Sequence, residues 1–136
     1  MQYLPKLLFL FFVFGAFSIV TPQTANAQAL GGFDTVSYFS GGPKRGKAEF
    51  STQWNGQTWL FSSASNLRKF EQNPAKFAPQ YGGQCAFAVA HGSSAPGDPR
   101  QWHVHRGKLY LNLNSSIKRQ WLANKEDFIK RADRNF

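Results

Sequence analysis

AEFSTQWNGQTWLF, residues 48–61, sets alternating side chains on either side of Asn55-Gly56. Asn-Gly suits the two-residue turn whose twist matches that of antiparallel strands, so the stretch predicts a β-hairpin. Pairing across the turn sets Phe50 against Phe61 and Thr52 against Trp59 on one side of the ribbon. That side is strongly aromatic and has to be covered by something else in the chain.

The cover follows at once. Ser62 and Ser63 are good N-cap residues, and Ala64, Leu67 and Phe70 fall at helical spacing. Asn73-Pro74 stops that helix, because the residue before proline avoids the α region. Asn73 then caps a second short helix with Pro74 at its first position, burying Phe77 and Tyr81. Upstream, Asp34 either caps one helical turn over Thr35-Val36-Ser37-Tyr38-Phe39 or opens a short strand. Downstream, Tyr81-Gly82-Gly83-Gln84 delivers the chain to Cys85 and a buried small-residue helix that ends before Gly92.

Trp102 to His105, Arg106-Gly107 and Lys108 to Asn112 form a second hairpin, with Val104 and Leu109 on one face and His103, His105 and Tyr110 on the other. A last helix or helix pair starts at Ser115 or Ser116 and packs through Ile117, Trp121, Phe128 and Ile129. No internal repeat is visible in the sequence. The expected fold is α+β, a small single domain with two β-hairpins packed against several short helices.

The N-terminus reads as an address. Lys6 precedes an apolar run, Leu7 to Val20, that is short for the roughly 20 residues a membrane-spanning helix needs but suits a signal-peptide core. Thr21-Pro22-Gln23-Thr24 breaks it, and Ala25-Asn26-Ala27 supplies a small-x-small cleavage pattern. Residues 1–27 are therefore read as a signal peptide and residues 28–136 as the domain, a secreted protein, periplasmic in a bacterium, with no transmembrane segment in the mature chain.

The chain has 136 residues, 42% hydrophobic and 16% aromatic, with a net charge of +9, the profile of an ordinary globular domain. Its basic residues are scattered, and a secreted protein rarely meets nucleic acid, so the excess reads as solubility and weak attraction to anionic envelope polymers. No phosphate loop, dinucleotide fingerprint or Ser-His-Asp arrangement can be read. Asp34 and Asp98 read as cap and turn residues.

The chemistry narrows to one thiol and three histidines. Cys85 is the sole cysteine, so it cannot form an internal staple in an oxidising compartment. At the start of a helix its thiolate would be stabilised by the helix dipole, whereas packed beside Ala86 and Phe87 it would be a small hydrophobe. His103 and His105 share one face of a strand, about 6–7 Å apart, near enough for two imidazoles to hold one metal ion or to lie as polar residues on a solvated face. His91 is six positions after Cys85, on another face of an ideal helix.

Phe61-Ser62-Ser63, Asn66, Phe70, Pro74 and Phe77, preceded by Asp34-Thr35-Val36-Ser37, resemble the YHS domain, a small module of heavy-metal transport ATPases and some oxygenase-related proteins. Gly32-Phe33-Asp34, Tyr81 to Ala86, Ala95 to Pro99 and Gly107 to Asn112 resemble the secreted branch of that family, over nearly the whole mature chain. Metal-type members place cysteines at the positions of Ser37, Ser62 and Asn66. This chain has none of the three, and hydroxyl and amide groups are poor ligands for a soft metal. The cysteine matching Cys85 is usual in the secreted branch, where some members carry selenocysteine, which implies redox or soft-metal chemistry.

Two functions stay open. In one, Cys85, with His91, His103 and His105 as further candidate ligands, binds copper or zinc or acts in thiol redox. In the other, Cys85 is structural and the domain is a non-catalytic module for an envelope protein partner or a small apolar ligand. An enzymatic reading lacks a base and its orienting partner. The exported protein is expected to have the mass of residues 28–136, read by intact mass spectrometry; a mass that includes Leu7 to Val20 would show a retained anchor.

Overall fold

The computed structural model describes residues 27–136. The apolar leader lies outside the described residues. No helix among the described residues is long and apolar enough to cross a membrane.

The predicted α+β architecture is present. Strands β1 (Lys47–Trp54) and β2 (Gln57–Phe61) form one two-stranded sheet, and β3 (Asp98–His105) and β4 (Lys108–Asn112) the other. Helices α1 (Ala64–Gln72) and α2 (Pro74–Phe77) follow the first hairpin, α3 (Ala86–Ala90) precedes the second, and α4 (Ser115–Ala123) and α5 (Lys125–Asn135) follow it. Because an isolated two-stranded hairpin is marginal in water, each is held by its helices. Trp59 stacks on Phe70 of α1, and Tyr110 on Trp121 of α4, with ring centroids 4.9 and 5.3 Å apart. A seam of Tyr38, Leu109 and Leu111, all buried, joins the two parts. The Tyr38 hydroxyl donates to the Pro99 carbonyl across that seam at 2.8 Å.

Several local expectations need correction. Thr52 does face Trp59, but Phe61 faces Lys47 instead of Phe50, because β1 carries extra residues between Lys47 and Ser51. Phe50 is left half-buried against the first core. Asn73 sits at the start of α2 without a side-chain cap bond. Helix α4 does start at Ser115, and Asn114 caps it, its Oδ1 accepting from the Ile117 N–H at 2.9 Å. Tyr81 belongs to a turn and to the second core. The face carrying His103 and His105 is not a free solvent face, since Trp121 and Glu126 lie against it.

A larger correction concerns internal symmetry. Residues 51 positions apart share one conformation along most of the described chain. The turn Leu30-Gly31-Gly32 has φ of 53, 57 and 85°, and Tyr81-Gly82-Gly83 has 58, 62 and 83°. Gly46 N–H donates to Gly32 and Gly97 N–H to Gly83, while Asp34 N–H donates to Lys44 and Cys85 N–H to Ala95. The hairpin turns Asn55-Gly56 and Arg106-Gly107, the extra residues at the start of β1 and β3, the caps Ser63 and Asn114, and the helix starts all correspond. The chain is thus two units of one design. The repeat escaped the sequence because what it preserves is mostly glycine at turns, while almost every core side chain differs.

The two strictest positions are Gly46 and Gly97, 51 residues apart. A Cβ on Gly46 would collide with the Cβ and backbone of Leu60, and one on Gly97 with the Gly83 carbonyl oxygen and Leu111. Gly46→Ala and Gly97→Ala are each expected to lower stability by about 2 kcal/mol or more, measured by urea unfolding. Tolerance at Gly97 alone would show that the second unit is not held as the first is.

Candidate functional site

Asp34 is fully buried and is the most heavily bonded side chain of the first unit. It precedes a 3₁₀ turn, Thr35–Phe39, and one carboxylate oxygen accepts from the N–H groups of Val36 and Ser37 at 2.9 and 3.2 Å. The other accepts from the Ser62 N–H at 2.8 Å, the Ser62 hydroxyl at 2.6 Å and the Asn66 amide at 2.8 Å. Ser37 turns its hydroxyl to the Asp34 carbonyl at 2.6 Å. Ser37, Ser62 and Asn66, far apart in sequence, thus meet around one residue. Ser62 and Asn66 donate to the carboxylate and the Ser37 hydroxyl to the Asp34 main-chain carbonyl, and hydroxyl and amide groups so engaged do not fit a soft metal ion.

Cys85 occupies in the second unit the place of Asp34 in the first. The surroundings have changed with it, since Ser37, Ser62 and Asn66 correspond to Ala88, Leu113 and Ile117. Cys85 is 1% exposed and is the N-cap residue of the five-residue α3, with no capping bond from its side chain. Its thiol donates to Oδ1 of Asn112 at 3.6 Å, an oxygen that also accepts the Phe87 N–H at 3.2 Å. Asn112 is fully buried, with its amide nitrogen lacking a partner. Its proximity to Cys85 was not legible in sequence, since the contact crosses from the start of α3 to the end of β4.

The histidines lie elsewhere. His91 hydrogen-bonds through Nδ1 to the Phe87 carbonyl at 2.7 Å and packs on Phe87 and Phe128. His103 and His105 stack with ring centroids 6.3 Å apart, as their strand spacing requires. Burial, then the nearby Lys125, Lys118 and His105, hold His103 below the ordinary histidine range. His105 Nε2 lies 2.7 Å from a Glu126 oxygen, and this hydrogen bond holds the Glu126 carboxyl low. The structure brings His103 and His105 together and does not bring Cys85 or His91 to them: among the described residues no three His, Cys, Asp or Glu side chains gather as a metal ion needs.

What the sequence did not disclose is a cleft of about 480 Å³ between the first hairpin and the two glycine turns. Trp54, Trp59, Pro79, Pro96, Pro99 and Leu111 supply its apolar walls, and Asn55, Gln57 and Gln84 bring amides. Trp59 Nε1 is already used on the Trp54 carbonyl at 2.9 Å. Among the described residues no charged side chain lines it. The signal in the sequence was the pair of Gly-Gly turns, whose left-handed backbone lets both chain segments approach the hairpin.

Residues 42–81 match the YHS domain. No curated protein and no solved structure matches the chain. The matched segment runs from the approach to β1 through α2 into the second glycine turn, so it holds Ser62 and Asn66 but neither Asp34 nor Cys85.

Asp34→Asn is expected to cost about 2 kcal/mol and Asp34→Ala about 3 kcal/mol or more, because buried donors lose their acceptor. Chemical denaturation of the variants measures both; a change below about 0.5 kcal/mol, the usual range for surface substitutions, would show that the carboxylate does not hold the unit together.

Proposed function

We propose that this protein is a secreted, non-catalytic binding domain in which Cys85 is a packing residue and the ligand is a small neutral molecule with a flat apolar ring. The observation that carries the proposal is the cleft itself. A cavity of a few hundred Å³ with apolar walls and a few polar groups is the usual form of a small-molecule site, and here the lining among the described residues carries no charge, in a chain of net charge +9. The half-buried Trp54 and the more enclosed Trp59 supply aromatic lining, the prolines rigid walls, and Asn55, Gln57 and Gln84 amide groups for orientation. Export is supported by Leu7 to Val20 and the Ala25-Asn26-Ala27 pattern, and by resemblance to the secreted branch of the YHS family.

The YHS domain carries a second reading, a metal-related role. The residues available to it are the adjacent imidazoles of His103 and His105, with copper or zinc as the ion; Cys85 would have to leave its buried place to join them.

Ligand-observed NMR separates the readings, with indole as the neutral probe and indole-3-acetate as its charged counterpart. Saturable binding of indole, weakened about tenfold in Trp54→Ala and weaker for the anion, is expected; that factor corresponds to about 1.4 kcal/mol. Absence of saturable indole binding overturns the ligand proposal. Thiol labelling supplies the other arm, with Cys85 reacting only after denaturation; rapid native labelling that copper or zinc suppresses would favour the metal reading.

A further inference from the structure

The second unit has its own version of the cleft wall. A groove of about 260 Å³ lies between the β3–β4 turn and α5. Its residues stand 51 positions after residues of the neutral cleft: His105 after Trp54, Lys108 after Gln57, Tyr110 after Trp59, Lys130 after Pro79 and Asp133 after Gly82. The hairpin walls therefore correspond, whereas the facing walls differ in backbone: Ala78 and Pro79 are extended and Gly82 lies in a left-handed turn, while Ile129, Lys130 and Asp133 lie in helix α5.

The exchange is from neutral to charged. Tyr110 is buried and Ile129 half-buried, giving the groove an apolar floor, while Lys108, Lys130 and Arg106 stand at its exposed rim. It also contains two carboxylates, but both have protein partners. A Glu126 oxygen lies 2.7 Å from His105 Nε2 and 3.3 Å from the Arg106 guanidinium. An Asp133 oxygen accepts from the Tyr81 hydroxyl at 2.8 Å. Among the described residues Lys108 and Lys130 have no carboxylate within ion-pair distance, and Arg106, Lys108 and Lys130 against Glu126 and Asp133 leave the groove a net charge of +1 with His105 neutral. Burial, with Asp133 and Glu126 nearby, pushes Tyr110 up to about 12, so its hydroxyl stays a neutral donor.

We propose that this groove is a second ligand site, distinct from the neutral cleft, and that it takes a small oxyanion, a carboxylate or a phosphate group, between Lys108 and Lys130 with Tyr110 beneath it. Two lysines on opposite walls place charge on either side of the anion, and the Ile129 and Tyr110 floor leaves room for a short apolar body. The proposal does not depend on occupancy of the first cleft, whose walls belong mainly to the other unit.

The test is an amide-detected NMR titration of the mature protein at low salt, with inorganic phosphate and with acetate as separate arms. Saturable shifts at Lys108, Tyr110 and Lys130 are expected in at least one arm, and the stronger arm distinguishes phosphate from carboxylate recognition. Lys108→Gln with Lys130→Gln should weaken binding at least fivefold, about 1 kcal/mol. Lys44→Gln with Lys47→Gln, which removes the same charge outside the groove, should leave binding unchanged. No saturable shift in either arm, or equal weakening by both double variants, overturns the proposal, the latter because it would reveal attraction to net charge alone.

Discussion

The carboxylate of Asp34 is the constraint around which the first unit is arranged. It lies at 0% exposure with five donors on its two oxygens, drawn from the turn that follows it, the end of the first hairpin and the first turn of α1. Burying a carboxylate is costly unless its lone pairs are satisfied, so the three segments are bound to one geometry. Moving any of them would take a donor from the carboxylate, a backbone N–H in the first two segments and the Asn66 side-chain amide in α1. That geometry carries Phe61 and Phe70 into contact, with ring centroids 5.1 Å apart, and closes the aromatic core.

The second unit shows the same scaffold after the hub has been removed as a set. Cys85 replaces the acceptor, while Ala88, Leu113 and Ile117 replace the side-chain donors. The coordinated loss is what a coupled network demands, since a half-satisfied polar cluster is worse than an apolar one. The thiol then needs only the single contact with Asn112, itself in the position of Phe61. The lone cysteine of the sequence is, in three dimensions, a buried residue that stands where the other unit has its carboxylate hub.

The turn ends of the two hairpins open onto different surroundings. Beside the first lie both glycine turns and the extended Ala78-Pro79, and beside the second lies helix α5. In the first, Trp54, Trp59 and Pro79 make that space neutral and aromatic; in the second, His105, Tyr110 and Lys130 make it mixed and basic. Two corresponding hairpins thus carry different side chains at their turn ends, with the buried seam of Tyr38, Leu109 and Leu111 keeping the units together.

Much of the fold was legible from local signals: Asn55-Gly56 and Arg106-Gly107 marked both hairpins, Ser63 and Pro74 bounded helices, and Asp34 stood as either a cap or a strand opener until the 3₁₀ turn decided for the cap. Period, turn chemistry and capping act within a few residues, and the chain states them directly. The sequence by itself determined the class of fold, the position of its elements, the small inventory of reactive groups and the absence of soft ligands at positions 37, 62 and 66. Only the tertiary structure decided that those three positions meet at Asp34, that Cys85 is enclosed beside Asn112, that His103 and His105 face Trp121 and Glu126, and that the chain repeats itself. These are contacts between segments tens of residues apart. They are set by how two units share a core and by backbone that only glycine permits, and neither leaves a local pattern in the order of the residues.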